Sequence, residues 1–449
     1  MNARLDAAAP RLNRILLRLC ALALCLLTLA ACEVSANPTP PANPLPETTV
    51  AVPTPRQTLA PTPAASSATP GPLNVVVWMS DEFAQAPSAS GSQILATQLA
   101  AFNATYSNAR VSIVPKKPYG KGGIVDLLLT TQAALPQALP DVVALDLREL
   151  PRLSRESLLQ SFDSQFSPAL LNDLYPFARQ AGQVDGRLLA IPFTADVLHG
   201  VYDSAQIQSP PLTWSALISS TARYAFAAGG ENALVNDSFL AQYVALGGHF
   251  SDARGKPALD RVPLRDALEF YRNGLARGVI VPNVAGTKTA DETWRLYLTA
   301  KASLADVSTR DYLRDRAQLK NAAYAPIPTR SGNLTTISRS WGYAIATQDP
   351  ARRVVAERFI EWMLTADNNA AWNRAASRLP VRRSALNLWS SDAAYRDFIN
   401  PLLLIAVNRP VTAAGDTLDI VLQTAIVDVL ANNLTPAEAA DKAITTLAR

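Results

Sequence analysis

Short apolar runs alternate with amphipathic stretches along the first part of the chain beyond residue 72. The apolar runs are typical of buried strands and occur at 74–78, 111–114 and 141–146. The stretches between them repeat apolar residues at helical spacing and predict helices at 93–106 and 122–134. Because strand and helix alternate, we expect a parallel sheet with right-handed crossovers, in which ligands bind beyond the carboxyl ends of the strands. This places Trp78 to Glu82, and the residues after Leu145, at a potential binding mouth.

The rest of the chain is more helical. Short extended runs are predicted at 186–192, 197–202, 301–306, 322–328 and 341–346. Helical spacing predicts helices at 214–223, 237–246, 263–277, 351–365, 367–375, 391–407, 416–432 and 436–448. With 449 residues the chain has enough material for two or three lobes with real cores, and its fold class is α/β.

The N-terminal segment has the pattern of a secretory leader. Basic residues up to Arg18 precede an uncharged apolar stretch from Leu19 to Ala30, which is too short to span a bilayer comfortably. The stretch ends in Leu29-Ala30-Ala31-Cys32, which resembles the bacterial lipobox. We therefore predict a lipoprotein signal peptide over 1–31, lipid attachment at Cys32, and an extracytoplasmic protein anchored to the cell membrane. The alternative is an uncleaved anchor with a chance cysteine.

Residues 32–72 have the composition of a linker. Eleven of the 33 prolines lie between Pro38 and Pro72, among alanine, threonine and serine and with few charges. Such a segment cannot bury enough apolar area to fold and samples extended conformations. It is interpreted either as a stalk that carries the folded domain away from the lipid surface or as a spacer with no length requirement.

Charge and cysteine content exclude several classes of protein. The formal net charge is +4, and most of it lies in the leader, so the rest of the chain has no basic face for nucleic acid. All three cysteines precede residue 33, which excludes disulfides and cysteine-based sites in the folded part. With two histidines far apart in sequence, a histidine metal centre is not expected either. We expect no metal, no cofactor and no catalytic residues.

A series of short motifs follows in order along 73–449. They include Val75-Val-Val-Trp78, Leu139-Pro-Asp141-Val-Val, Asp185-Gly186-Arg-Leu-Leu-Ala-Ile-Pro192, Pro211-Leu-Thr-Trp214, Trp341-Gly-Tyr-Ala-Ile345 and Leu379-Pro380-Val381-Arg382. Each motif is weak by itself. Their order resembles that of the extracellular solute-binding proteins of ABC importers, in the group that includes the maltose and other oligosaccharide binders.

The resemblance implies a two-lobed periplasmic-binding-protein-like fold of type II with a ligand cleft between the lobes. By analogy, the first lobe takes 73–191 and 302–345, and the second takes 192–301 and 346–449. It also implies that the protein captures a small solute, a sugar or oligosaccharide first of all, and delivers it to the permease subunits of an ABC transporter.

Eight residues are candidate ligand contacts, because sugars need aromatic rings for their apolar faces and charged or amide groups for their hydroxyls. Trp78, Asp81 and Glu82 follow the first strand. Phe193 and Asp196 lie in a segment that the resemblance implies is a ligand region. Arg339, Trp341 and Tyr343 lie on a later strand. The competing interpretation of each is structural: core packing for the rings and solvated turns or caps for the carboxylates.

Three other assignments remain possible at this stage. Trp294 and Tyr297 share a helical face and are better explained as core residues; Trp214, Trp362, Trp372 and His199 are interpreted as structural. The solute could instead be a polyamine, phosphate ester, metal chelate or peptide, or the protein could be a sensor that docks a membrane receptor. A secreted glycoside-processing enzyme, with Asp81 or Glu82 and Asp196 as paired carboxylates, is the least favoured alternative.

Overall fold

A computed structural model describes residues 72–84, 89–162, 166–410 and 417–448. The predicted signal peptide, Cys32 and nearly all of the linker lie outside these residues. None of the described helices is long and apolar enough to cross a membrane.

The strands are β1 (Leu73–Ser80), β2 (Ala109–Lys116), β3 (Val142–Asp146), β4 (Gln183–Val184), β5 (Arg187–Leu188), β6 (Ile191–Asp203), β7 (Tyr224–Ala225), β8 (Leu304–Ser308), β9 (Ala322–Ala325), β10 (Ile337–Ile345) and β11 (Val407–Asn408). The α-helices before residue 300 are α1 (Asp81–Ala84), α2 (Ala89–Thr105), α3 (Ile124–Ala134), α4 (Leu150–Arg155), α5 (Pro168–Asp173), α6 (Pro176–Ala181), α7 (Trp214–Ile218), α8 (Asp237–Ala245), α9 (Arg261–Ala276) and α10 (Ala290–Leu298). Those after it are α11 (Thr309–Asp315), α12 (Pro350–Met363), α13 (Ala366–Ala375), α14 (Arg383–Asn387), α15 (Ala393–Ile405), α16 (Thr417–Leu430) and α17 (Pro436–Leu447).

One continuous sheet organises the described residues, in the order β2-β1-β3-β10-β6-β8-β7, with β11 paired to β10 and β9 to β6. The first three strands are parallel, which confirms the prediction from the alternating apolar runs. Strand β10 lies antiparallel between β3 and β6, although its residues come from far along the chain. The sheet is therefore mixed where the sequence predicted only parallel pairing.

Strand β6 connects the two parts of the sheet. Its first half pairs with β10, and its second half, from Leu198 onward, pairs with β8 and β9. The sequence predicted two separate extended runs here, at 186–192 and 197–202. The first run is divided between β5 and the start of β6, and the second lies inside β6, a single 13-residue strand whose two halves find backbone partners in other segments. Phe193 and Asp196 consequently lie within a crossing strand.

Apolar residues cover both faces of the sheet. The larger core cluster includes Val77, Phe193 and Tyr343, and the smaller one includes Trp78 and Val143. Since Val77 and Trp78 are consecutive, their side chains leave opposite faces of β1, as the two-residue period of a strand requires. This separates Trp78 from the other aromatic candidates.

Strand pairing and helix packing also bear on the lobe boundaries, which stay a prediction. Strand β8 pairs with β6 and β7, away from β1 to β3, and so favours the second lobe for 304–308. Helices α12 and α13 pack against α2: Trp362 Nε1 donates to the carbonyl of Gln98, whose side chain donates to the carbonyl of Asn368. These contacts favour the first lobe for both helices.

Candidate functional site

Glu82 lies in α1, directly after the first strand, and meets two arginines from distant parts of the chain. Arg378 Nη2 donates to Glu82 Oε2 at 3.1 Å, and Arg310 Nη1 lies 3.9 Å from the same oxygen. Its neighbour Asp81 is half-buried in the first turn of the same short helix. Glu82 was predicted as a ligand contact at the mouth beyond β1, and that role stays a prediction; its two arginine partners were not predicted.

Asp196 is held at the start of α11. The hydroxyl groups of Ser308 and Thr309 each donate to its carboxylate at 2.6 Å, and the backbone N–H of Arg310 donates at 3.3 Å. Ser308 is also the N-cap of α11. This arrangement keeps Asp196 and Arg310 in neighbouring positions, so the carboxylate from the crossing strand β6 joins the group around Glu82 and Arg378.

Trp341 belongs to the same group. Its ring packs edge-on against Phe83, with the centroids 5.5 Å apart, and the Arg378 guanidinium carbon lies 4.8 Å from the Trp341 ring centroid. Arg378 also lies over Phe83, at 4.9 Å from that ring centroid. Trp341 is 7% exposed. The structure therefore brings Glu82, Asp196 and Trp341 together through Arg378.

Arg339 lies two residues before Trp341 on β10 and joins a second group of charges. Its Nε donates to Asp237 at 2.7 Å, and Arg409 pairs with both Asp237 and Asp419. Burial by itself would raise the pKa of Asp237, but the neighbouring Arg339 and Arg409 outweigh it and lower that pKa to about 2. Asp237 is therefore ionised at neutral pH.

A third set of polar groups follows β3. Arg148 donates through Nε and Nη2 to Asp146, and the Tyr119 hydroxyl donates to the same carboxylate oxygen at 2.8 Å. Burial, followed by the charge of Asp146, raises the pKa of Tyr119, so the phenol stays protonated. Burial opposes ionisation of Asp146, yet the adjacent Arg148 holds its pKa below the usual range. Tyr119 keeps 44% of its surface exposed, but its hydroxyl end lies against the buried Asp146 and the half-buried Arg148.

The three groups are electrostatic neighbours. Tyr119 interacts with Glu82, and Arg148 interacts with Asp237. We call the three groups together the polar band, because they influence one another electrostatically around the crossing strands. It combines ion-paired carboxylates, guanidinium groups and an indole, which suits hydrogen bonding to a polar solute. Among the described residues no cluster of potential metal ligands occurs.

The remaining predicted residues lie elsewhere. Phe193 and Tyr343 are 2% and 1% exposed, inside the larger core cluster. Trp78 packs in the smaller cluster, with Lys116 Nζ 4.7 Å from its ring centroid. A packing role is favoured for these three rings, and their assignment as ligand contacts stays a prediction. Two shallow surface depressions on the described residues, between α9 and α17 and beside α6, also lie away from Glu82 and Trp341.

Seven residues of the band were not predicted from the sequence. They are Tyr119, Asp146, Arg148, Asp237, Arg310, Arg378 and Arg409. A signal existed for Asp146 and Arg148, since they follow Leu145 at the predicted mouth. For Arg378 the sequence offered only its position before Leu379-Pro380, which says nothing about a partner 296 residues away.

Comparison with solved structures agrees with the fold. The chain is similar to the cyclic alpha-maltosyl-1,6-maltose binding protein of Arthrobacter globiformis, with a TM-score of 0.68 and 20% identity over 84% of this chain and 98% of that one. It is also similar to the sugar-binding protein MalE of Xanthomonas citri, with a TM-score of 0.69 and 18% identity over 84% and 97%. The predicted two-lobed periplasmic-binding-protein-like α/β fold is confirmed.

Sequence comparison gives a shorter match among curated proteins. The maltotriose-binding protein of Pyrococcus abyssi is 23% identical over 158 residues, which is 34% of each chain. A protein family described as bacterial extracellular solute-binding proteins matches residues 97–397. Its description implies an extracytoplasmic location and a binding protein rather than an enzyme, as predicted. The chain therefore belongs to the bacterial extracellular solute-binding protein family.

Proposed function

We propose that this protein captures a small carbohydrate at the polar band around Glu82, Asp196 and Trp341 and delivers it to the permease subunits of an ABC transporter. The observation that carries the proposal is the convergence of side chains from α1, β6, β10, α11 and the segment after α13 on one place. Such convergence of separate elements is typical of ligand sites between lobes.

The chemistry of the band suits a sugar. Guanidinium and carboxylate groups bind hydroxyls with directional, charge-assisted hydrogen bonds. Most of the charges are already paired within the protein, as in Arg148 with Asp146 and Arg339 with Asp237. Pairing orients these groups before a solute arrives, which reduces the entropy lost on binding. The similar proteins named above support the same class of solute, since one binds cyclic maltosyl-maltose, one binds maltotriose and one is a sugar-binding protein.

Binding is coupled to lobe closure in this proposal. Glu82 follows β1 in the predicted first lobe. Arg310 was also predicted in the first lobe, but it lies on α11 directly after β8, whose pairing with β6 and β7 favours the second lobe. A solute that touches both sides favours the closed arrangement by its differential affinity for that state. A shift from 1:99 to 99:1 requires about 5.5 kcal/mol of such preference.

A thermal-shift screen tests the solute class. Purified protein is heated with maltose, maltotriose and other oligosaccharides, and in parallel with polyamines and phosphate esters. A bound solute raises the melting temperature, because it stabilises the folded state by RT ln(1 + [L]/Kd). Stabilisation by sugars alone supports the proposal. Stabilisation by a polyamine or a phosphate ester, with none by any sugar, contradicts it and favours the same fold with a different solute.

The membrane anchor is tested independently. We propose that the lipid on Cys32 holds the protein at the membrane and that 33–72 act as the tether. Because each buried methylene of an acyl chain contributes about 0.8 kcal/mol to membrane binding, removing the attachment site should release the protein. Cys32→Ser should move the folded protein from the membrane fraction to the soluble fraction. The variant contradicts the proposal if it stays in the membrane pellet.

Delivery to a permease needs its own experiment. Cells that lack this protein should lose uptake of a labelled sugar that stabilises it in the thermal-shift screen, and the wild-type gene should restore uptake. Unchanged uptake would favour a sensor that docks a membrane receptor.

A further inference from the structure

Arg378 occupies an unusual position for a charged residue. It follows α13, with Ser377 in the left-handed region at φ 55°, and its side chain is 4% exposed. Among the described residues the guanidinium has one carboxylate partner, Glu82, and it contacts the rings of Phe83 and Trp341. Burial lowers the pKa of Arg378, which Glu82 and Asp196 partly offset. A buried guanidinium with a single carboxylate partner is costly to maintain.

The position of Arg378 changes the role open to Trp341. The sequence analysis treated this indole as a flat ring on which a sugar could stack. The guanidinium carbon of Arg378 lies 4.8 Å from the ring centroid and covers a face of the ring, while Phe83 meets it edge-on at an interplanar angle of 77°. Arg378 therefore competes with a solute for a face of the ring, whereas the N–H group of Trp341 can still donate a hydrogen bond.

Two buried donors in this contact have no acceptor among the described residues. They are Arg378 Nη1 and Trp341 Nε1. Both groups only donate hydrogen bonds, so neither can be satisfied by another donor. A buried donor without a partner costs about the desolvation energy of that group, and such cases in native proteins need an explanation. An oxygen from a bound solute would satisfy them.

The charges around Arg378 indicate what kind of oxygen fits. Glu82 pairs with both Arg378 and Arg310. Asp196 accepts from the backbone N–H of Arg310. Within this set of four residues two groups are positive and two are negative, so their formal charges cancel. An uncharged acceptor completes the hydrogen bonds without adding a buried net charge, whereas an anionic group would add one.

We propose that Arg378 is a specificity-determining residue that donates, together with the N–H of Trp341, to an uncharged hydroxyl or ring oxygen of the solute. This inference rests on the proposed function, because it concerns the same site. It assigns Trp341 as a hydrogen-bond donor rather than a stacking ring, and it selects neutral sugars over acidic ones.

Two variants separate the donor role from the stacking role. Trp341→Phe keeps an aromatic ring against Arg378 but removes the N–H, and Arg378→Met keeps the length of the side chain but removes its donors. Calorimetric titration with maltotriose should show about three- to tenfold weaker binding for Trp341→Phe, the loss expected for one hydrogen bond. Arg378→Met should bind at least about tenfold more weakly, since hydrogen bonds from charged groups contribute more.

Trp362→Phe is the matched control. The N–H of Trp362 donates to the carbonyl of Gln98, away from the site, so this variant should bind maltotriose like the wild type. If Trp341→Phe also binds like the wild type, the donor role of Trp341 is wrong.

Acidic and neutral sugars test the charge argument. Glucose and glucuronate share a ring and differ in one carboxylate, and their effects on the melting temperature can be compared at equal concentration. The proposal expects greater stabilisation by glucose than by glucuronate. Equal or greater stabilisation by glucuronate would overturn the preference for an uncharged acceptor.

A ligand-free measurement keeps the inference separate from the proposed function. If no sugar binds the wild type, the carbohydrate proposal fails, but the melting curve still decides whether Arg378 serves a site. The double variant Glu82→Gln with Arg378→Met removes the ion pair together. It should melt within about 3 °C of the wild type or higher, because replacing a buried pair is often neutral or stabilising. A fall of more than about 5 °C would show that the pair is structural and would overturn the proposal.

Discussion

Phe193 and Tyr343 stack on one another across neighbouring strands, with ring centroids 4.5 Å apart and an interplanar angle of 28°. Phe193 belongs to β6 and Tyr343 to β10, so the pair joins the two strands that cross the middle of the sheet. Phe83 and Trp372 pack edge-on against Phe193. Phe83 also contacts Trp341, so this aromatic cluster helps to hold Trp341 in its position at the site.

Truncation of Phe193 should therefore reduce stability. Phe193→Ala leaves a large cavity among buried rings and should lower the free energy of unfolding by about 3–5 kcal/mol. Phe193→Leu is the control and should lose clearly less, since it fills most of the space. Chemical denaturation of the ligand-free protein measures both. A stable Phe193→Ala variant with impaired solute binding would instead support Phe193 as a ligand contact.

The contribution of Asp237 to stability should depend on pH. Its pKa lies at about 2 in the folded protein, below the ordinary value of 3.8, because Arg339 and Arg409 stabilise the ionised form against the effect of burial. A depressed carboxylate pKa stabilises the protein above pH 4, and that stability is lost as the pH falls from about 4 to about 2. Asp237→Asn should lower the unfolding free energy by roughly 2 kcal/mol at pH 7, with a smaller deficit at pH 2.

The exposed pair of Arg261 and Asp441 provides a control for Asp237. Asp441→Asn should change stability little at any pH, since exposed pairs are screened by solvent. Equal effects of the two substitutions would contradict the importance of the buried group around Asp237.

Asp306 should show the opposite dependence on pH. It lies on β8, and burial raises its pKa to about 7, although the Tyr224 hydroxyl donates to Oδ2 at 2.6 Å. The folded protein therefore holds a proton that the unfolded chain releases near pH 4, and stability falls as the pH rises from 4 to 7. Asp306→Asn resembles the protonated form and should become more stable than the wild type over this range, by roughly 4 kcal/mol at most.

Thermal unfolding of Asp306→Asn and the wild type at several pH values measures this difference. The gain should be small at pH 4 and complete above pH 7. A variant that is less stable than the wild type at pH 8 would show that the carboxylate is ionised and paired in the folded protein.

His199 should make the folded protein more stable as the pH rises from about 4 to about 6.5. Burial lowers its pKa to about 4, and its ring nitrogens lie 3.0 Å from the carbonyl of Gly200 and 3.2 Å from the Tyr395 hydroxyl. As the pH falls, His199 becomes protonated near pH 6.5 in the unfolded chain but only near pH 4 in the folded protein. Stability therefore falls as the pH drops through this window, by roughly 3 kcal/mol.

His199→Gln should remove this pH dependence, whatever its effect on stability at pH 8. His249 is exposed, so His249→Gln is the matched control and should leave the dependence in place. Equal slopes for His199→Gln and the wild type between pH 6.5 and 4 would contradict the prediction.

Local patterns in the sequence predicted much of the fold. The apolar runs that became β1, β2 and β3, with helices between them, indicated a parallel sheet, and the order of motifs led to the correct family. These features could be predicted because burial imposes a repeat of two residues on strands and of about 3.6 on helices. The position of Glu82 after β1 follows from the same logic, since ligands bind beyond the carboxyl ends of parallel strands.

Partners distant along the chain were decided by the tertiary structure alone. Strand β10 inserts beside β3, and Arg378 reaches Glu82 across 296 positions, although nothing in either local segment indicates the other. The role of Trp341 also depends on a distant residue. Its ring was predicted as a stacking surface, but Arg378 lies over the ring. The sequence alone determined that the segments of β1, β2 and β3 and the helices between them form, because that depends on neighbours a few residues apart. Only the path of the whole chain determined which charges and rings meet, because burial and pairing depend on groups brought together in space.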